Sequence, residues 1–382
     1  MNDSNKNVEL MAPAGSYESL SAALRGGADS IYFGVGNLNM RSRAGVNFTI
    51  EDLPKIARMC RKCKAKAYLT LNTIVYDEEL PEIRKLCKAA AEAGISAVIA
   101  SDIAAIQIIR EAGLSVHMSV QANICNLEAV RFYSQFADVV IPARELSLQQ
   151  IQDIIEGIKR DKITGPSGQL IKLEMFIHGA LCVAYSGTCY MSLGMYNSSA
   201  NRGACFQNCR RKYRVTDEAT GDELVIDNHY IMSPKDLCSI RFVDRILDSG
   251  VSVLKIEGRG RSSDYVRIVT SVYREAIDAW KSGTYAPDKF DAWEKELKRV
   301  FNRGFWHGGY YLGEKLGEWS GQGGNLSKFH KIHLGKVTKY FSKLKVAELT
   351  LFAGELSVGD EILITGNTTG ALRFKVDELR KD

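Results

Sequence analysis

Apolar positions along the first 260 or so residues follow two alternating rhythms. Short apolar runs of strand length give way to longer stretches whose apolar positions recur at helical spacing. The pattern predicts strands at 8–12, 30–33, 67–71, 97–99, 115–120, 139–142, 173–177 and 253–257, with helices between them at 17–25, 54–63, 80–93, 103–111 and 127–136. Gly26, Gly94 and Gly113 stand where helices end, as a residue free to take positive φ should. Eight strands in strand–helix alternation is the count of a (β/α)8, TIM-like barrel, whose active site lies at the carboxyl ends of the strands. A doubly wound open sheet has the same periodicity, so the pattern leaves both open. No fixed-period repeat is visible beyond the alternation.

The regularity breaks after residue 179. A cysteine-rich insertion, about 179–240 and rich in Gly, Ser, Asn and Tyr to position 230, separates the seventh strand from the eighth. Long insertions at a barrel's carboxyl end are where binding and catalytic parts are usually built. Helical patterns resume at 263–282 and 290–301. The run GQGGN at 321–325 reads as a flexible linker. Beyond it, short strands at 333–340, 344–351, 360–365 and 371–376 suggest a small β-barrel. The predicted organisation is a catalytic barrel over 1–325 and an accessory β-barrel over 326–382.

Composition adds compartment. Of 382 residues, 45% are hydrophobic and 25% charged, and the net charge is +5, an ordinary globular balance. No apolar run approaches the roughly 18–20 residues of a membrane span. The start, MNDSNKNVEL, lacks the basic and apolar regions of a signal peptide. The expectation is a cytoplasmic protein with reduced thiols, in which nine cysteines need a reason other than disulfides.

Cys60, Cys63, Cys87 and Cys125 fall in or beside helical patterns. Cys60 and Cys63 form a C-x-x-C inside a basic helix without a partner pair, and read as ordinary thiols. The other five, Cys182, Cys189, Cys205, Cys209 and Cys238, crowd one loop-like region among Gly, Arg, Tyr and Asn. Four convergent thiolates hold either a tetrahedral zinc or an iron–sulfur cluster. Their spacing matches neither a zinc ribbon nor a ferredoxin run, and irregular spacing suits a cluster anchored by loops. The bland alternative, small buried hydrophobes, fits poorly with such polar neighbours.

The stretch EMFIHGALCVAYSGTCYMS at 174–192 resembles the signature of the U-32 peptidase family, the collagenase-like proteins. That pattern runs acidic-x-Phe-x-x-Gly-small-aliphatic-Cys, then Gly-x-Cys-x-aliphatic-Ser. Further matches are LMAPAG at 10–15, GADSIYFG at 27–34, NRGACFQNCR at 201–210, MSPKDLC at 232–238 and KIEGR at 255–259. The resemblance implies an iron–sulfur enzyme, with a 4Fe-4S cluster, that hydroxylates RNA bases or ubiquinone precursors without molecular oxygen. In the RNA-acting branch prephenate is the implied oxygen source. Products there are 5-hydroxyuridine at the tRNA wobble position or a hydroxylated rRNA cytidine. Carried over by motif, the ligands are Cys182, Cys189, Cys205 and Cys238, with Cys209 in reserve. The terminal strands resemble small barrels of translation factors.

A peptidase, as the family name says, is the competing enzyme reading, and a Zn(Cys)4 RNA-binding protein the non-enzymatic one. Neither an HExxH motif nor a G-x-S-x-G elbow is present. His178, four residues before Cys182, reads as a strand-end polar group before a catalytic base. Lys255 and Glu257 alternate on the eighth strand and share its inward face. With Glu174 on the neighbouring strand they are the candidate catalytic residues, against the alternative of a structural ion pair. Arg259, just beyond the strand, is placed to grip a small acidic co-substrate bidentately, with Lys255 beside it. His117, Ser119, Gln121 and Asn123 alternate on the fifth strand and predict a polar binding wall; Asn72 and Arg41 are weaker candidates. One basic run, Arg58, Arg61, Lys62, Lys64 and Lys66, reads partly as a solvated face. A second, Arg210, Arg211, Lys212 and Arg214, adjoins the cysteines with Phe206, Tyr190 and Tyr213. Cations beside aromatic rings suit a phosphate backbone and an extruded base, so tRNA or rRNA is the expected partner.

Overall fold

The structure, a computed structural model, describes residues 8–43, 47–214, 216–223, 232–314 and 318–380. Part of the insertion, 224–231, lies outside the described residues, as does most of the polar N-terminal leader. Strands β1 (Glu9–Ala14), β2 (Ser30–Gly34), β3 (Lys66–Leu71), β4 (Ala97–Ala100), β5 (Val116–Met118), β6 (Val139–Val140) and β7 (Lys172–Ala180) pair in parallel, each with the next. After β8 (Asp236–Cys238), β9 (Val253–Ile256) pairs in parallel with both β7 and β1, which closes an eight-stranded barrel. The closure decides for the TIM-like barrel over the open sheet. All eight predicted strands are present.

Helices α1 (Tyr17–Arg25), α2 (Leu53–Lys62), α3 (Leu80–Ala93), α4 (Ile103–Glu111), α5 (Leu127–Tyr133) and α6 (Leu148–Arg160) follow the first six strands. Their starts carry side-chain caps: Ser16, Asp102, Asn126 and Ser147 each accept a backbone N–H of the first turn. Their apolar stripes face the strands; in α3 these are Ile83, Leu86, Cys87, Ala90 and Ala93. Cys60 and Cys87 belong to such stripes, and burial pushes their thiols up to about 12 and about 11. They are packing residues.

Three differences from the predicted elements bear on the site. The fifth strand is cut short: β5 ends at Met118, Val120–Ala122 form a 3-10 turn, and Asn123 is left-handed at φ 53°. The alternation of His117, Ser119, Gln121 and Asn123 therefore does not form one strand face. Two short strands were not foreseen, β8 and β10 (Phe305–Trp306), because two or three residues carry no period. They extend the sheet outside the barrel, β8 running antiparallel to β7. Helices α7 (Met191–Tyr196) and α8 (Val243–Asp248) flank β8 in sequence, while α9 (Ser263–Lys281) and α10 (Phe290–Lys298) lead to β10.

The C-terminal strands pair as two antiparallel ribbons, β11 (Gly335–Phe341) with β12 (Val346–Leu351), and β13 (Glu361–Gly366) with β14 (Gly370–Lys375). The second ribbon is docked on α1. Ser21 donates to the Asn367 carbonyl, and Gly370 lies so close to α1 that a Cβ there would come 2.6 Å from the Ala22 nitrogen.

The join of β7, β8 and α9 is held by one hydroxyl. Tyr273 of α9 is fully buried; it accepts from the Ser239 N–H at 3.0 Å and donates to the Ile177 carbonyl at 3.0 Å. Tyr273→Phe is expected to cost about 0.5–1.5 kcal/mol by removing this hydroxyl's hydrogen bonds, the Ser239 N–H keeping the Ile177 carbonyl at 3.1 Å. A urea midpoint unchanged from wild type, at equal slope, would refute this.

Candidate active site and metal centre

Charged groups inside the barrel sort into two levels. Low in the barrel, Lys255 Nζ donates to Glu174 Oε1 at 2.7 Å, with both residues buried. Glu174 Oε2 faces His117 Nδ1 at 4.0 Å, and neither atom has a hydrogen-bond partner. Burial drives the Glu174 carboxyl up and the His117 imidazole down to about 4. Tyr68 stacks on His117 at 4.6 Å and donates to Glu9, which also pairs with Lys66 at the start of β3. Glu9 and Glu174 both lie level with Val253 in the β9 register. This set belongs to the amino-terminal half of the barrel, where side chains support the fold. Two of the three candidate catalytic residues, Glu174 and Lys255, are thus in the interior layer beneath the mouth.

The upper level is built around Glu257, just past the end of β9. Arg41, in the loop after β2, donates to Glu257 Oε1 at 2.7 Å, and the Tyr32 hydroxyl lies 3.2 Å from Oε2. Burial alone would raise this carboxyl, but Arg41, Arg259 and Arg144 hold it down at about 2. Arg259 is itself buried, which lowers its guanidinium to about 10; its Nη1 donates to Asn39 Oδ1 at 2.9 Å and to Thr70 Oγ1 at 2.6 Å. Arg144 lies over the Phe176 ring at 4.3 Å, and its buried Nε has no partner. It lines a small cavity with Glu257, His178, Gly179 and Tyr311. The sequence reading missed Arg144. The signal was present: it stands just past β6, as Arg259 stands just past β9.

Beside them Asn72 reaches toward Ser119 and Gln121, both at 3.5 Å, and Ser119 bonds Gln121. Gln121 lies at the mouth against the insertion: a Cβ on Gly187 would come 3.6 Å from its Nε2. Asn123 uses its carbonyl to accept from Cys125 Sγ at 3.2 Å, and its buried Oδ1 is unpartnered. His178 is buried against Tyr265, Tyr273 and Phe305, 3.3 Å from the Tyr273 hydroxyl, and burial lowers it to about 3.

The insertion is strapped across this mouth. Gly179, at φ 107°, leaves β7 where a Cβ would come 2.5 Å from the Glu257 carbonyl. Arg202 grips Glu79 through two bonds of 2.6 Å and lies over Tyr76, which fixes the insertion to the loop after β3. Gly203, at φ 82°, meets the Asn39 carbonyl, where a Cβ would come within 2.2 Å. Arg210 donates to the carbonyls of Leu181 and Pro234 and to Ser233 Oγ, tying the insertion to both of its ends. It is a clamp inside the protein, and not a surface cation as the sequence suggests. Arg211 is exposed and bonds the Tyr196 hydroxyl.

Four of the thiols belong to this strap. Cys182, Cys189 and Cys205 each accept a backbone N–H from two residues on, Ala184, Met191 and Gln207, all at 3.4 Å. Burial pushes the Cys209 thiol up to about 11; Arg210 opposes this, and neighbouring charge on Cys182, Cys205 and Cys189 adds to it. The field at Arg41 in turn includes Cys205, so the thiols border the arginine site. Cys238 is placed elsewhere. It is fully buried in β8 against Tyr273, and burial raises its thiol to about 12. Cys209 thus shares the field of Cys182, Cys189 and Cys205, while Cys238 packs against Tyr273. Among the described residues no three His, Cys, Asp or Glu converge closely enough to hold a single metal ion. No helix among them is long and apolar enough to cross a membrane.

Residues 15–321 match the family model for peptidase family U32. A collagenase of Porphyromonas gingivalis is 55% identical over 374 residues, covering 98% of this chain and 90% of the relative. The tRNA hydroxylation protein P1 of Bacillus subtilis is 36% identical over 311 residues, 78% of this chain and 69% of its own. A 23S rRNA 5-hydroxycytidine synthase of Escherichia coli is 33% identical over 281 residues, 73% of this chain and 40% of its own length.

The Glu257 carboxylate has a depressed pKa, so its stabilisation is full above the ordinary carboxylate value of about 4.3 and is lost as pH falls toward 2. The stability gap between wild type and Glu257→Gln is therefore expected to narrow over that window. A gap that stays constant in acid denaturation curves would remove the arginine cage as its cause.

Proposed function

The chain belongs to peptidase family U32, and on that footing we propose that it is an iron–sulfur enzyme that hydroxylates an RNA base without molecular oxygen. The favoured product is 5-hydroxyuridine at the tRNA wobble position, with prephenate as oxygen source. One observation carries the reading: three thiols oriented by backbone N–H groups, with a fourth sharing their field, border an arginine-lined barrel mouth. N–H groups aimed at sulfur stabilise thiolate ligands and tune a bound cluster. Such a cluster would be held by Cys182, Cys189, Cys205 and Cys209, four thiols of one strap with soft donor atoms suited to iron. When bound, it would supply electron transfer.

The chain's own residues supply binding and order. Arg41, Arg144 and Arg259 outnumber the single carboxylate of Glu257, which leaves the mouth positive and suited to a small dicarboxylate such as prephenate. Glu257, kept ionised, fixes Arg41 and orients the Tyr32 hydroxyl. The buried Glu174–Lys255 pair closes the floor below. At the outer face Tyr190 and Tyr185 are 72% and 50% exposed, and Arg43 lies 4.7 Å over Phe206. Rings and cations of this kind receive an unstacked base and its phosphates. The tRNA- and rRNA-acting relatives support the same substrate class. The collagenase relative favours a peptidase as second reading. His178 speaks against a Cys–His pair, since it is buried and faces Tyr273.

Two measurements test the proposal. Protein purified without oxygen should be coloured and carry iron and sulfide. Serine in place of Cys182, Cys189, Cys205 or Cys209 should abolish both, whereas Cys238→Ser should retain them. A colourless protein with one zinc, or gelatin cleavage that survives iron chelation, would overturn the redox reading. In a deletion strain, mass spectrometry of tRNA nucleosides should show loss of 5-hydroxyuridine derivatives; an unchanged profile rules out the wobble uridine.

A further inference from the structure

Net charge is distributed very unevenly along the chain. Residues 328–352 contain six lysines and one glutamate, a net of +5, which equals the net charge of the whole protein. Everything outside this segment therefore sums to zero. The segment folds into the β11–β12 ribbon and the stretch leading to it, and all six lysines are exposed. Lys331 is engaged, with Asp264 at 2.6 Å. Among the described residues no carboxylate pairs with Lys336, Lys339, Lys343 or Lys345; Glu348 receives Thr338 instead.

Apolar exposure coincides with the charge. Tyr340 and Phe352 are each 61% exposed and Leu344 is 73% exposed, on a two-stranded ribbon with neither face covered. A ribbon of this kind is marginal alone, so a partner over it is the expected state. The position is equally specific. Lys331 reaches Asp264 in the first turn of α9, the helix that follows β9 and Arg259, so the ribbon springs from the rim of the barrel's carboxyl face.

We propose that the β11–β12 ribbon is the docking surface for the backbone of the folded RNA substrate, holding it while a distant base enters the barrel mouth. This rests on the reading of the chain as an RNA-acting enzyme. Charge complementarity selects the occupant: lysines without carboxylate partners beside exposed rings meet phosphates and stack on loop bases, and this short segment carries more net charge than the whole of residues 1–327.

The test is binding of bulk tRNA to the full-length chain across a salt series, for wild type and a variant with Lys336, Lys339, Lys343 and Lys345 all changed to Ala. The variant should bind at least about tenfold more weakly, and the slope of log affinity against log salt should fall by about 3.6, near 0.9 for each of four lost phosphate contacts. Arginine at the same four positions should restore both. Neutralising Arg58, Lys62 and Lys64 on α2 and its end should change neither. Equal affinity and slope in the alanine variant would overturn the proposal. So would lysine-dependent binding to vesicles of equal phosphatidylglycerol and phosphatidylcholine without binding to tRNA. If the ribbon binds tRNA but no base is hydroxylated, the surface stands and the proposed chemistry falls. If hydroxylation proceeds while the variant binds as wild type, the reverse holds.

Discussion

The architecture of the site depends on keeping one carboxylate charged in a buried place. Glu257 is held near pKa 2 where desolvation alone would raise it, and the difference comes from Arg41, Arg259 and Arg144. Each guanidinium arrives from a different strand end, after β2, β9 and β6. Breaking one partner of such a group strands the others, so these loops are constrained together. Asn39 extends the constraint: its side chain accepts from Arg259 and from the Arg41 N–H, and its carbonyl touches Gly203 of the insertion. The arginine-lined mouth and the cysteine-bearing strap are thereby one mechanical unit.

Two levels of polar groups in one lumen also explain how a barrel carries so much buried charge. In the lower set lysine pairs with glutamate and histidine packs against tyrosine. The upper set has surplus cation and an unpartnered Arg144 Nε. Both levels keep an unpartnered atom, Glu174 Oε2 and His117 Nδ1 below and Arg144 Nε above, and the surplus of guanidinium charge around Glu257 is what sets the upper level apart.

Much of the barrel was legible because its strands and helices are repeated periodic units. The strand set, the break at 179 and the crowded cysteines follow from spacing alone. What escaped has no period. Strands of two or three residues, such as β8 and β10, look like any loop, and the 3-10 turn after Met118 undid the wall expected from His117 to Asn123. Proximity in sequence does not separate Cys209 from Cys238 either. The fold does so by committing Cys238 to a strand whose side chain turns to Tyr273, a consequence of β7–β8 pairing that no local pattern announces. Arg210 looked like an RNA contact for the same reason; its three acceptors are visible only once both ends of the insertion are in place.

The two-bond grip of Arg202 on Glu79 has a further meaning. It is made by groups that are not thiols, as are the Arg210 clamp and the Gly203 contact. The loops that present the cysteines are consequently ordered by protein interactions before any ligand arrives. Chain entropy that a zinc-finger-like module must lose at the moment of metal capture is here lost during folding. A cluster of the kind proposed would therefore enter loops that are already anchored, and its loss would leave the barrel's integrity intact.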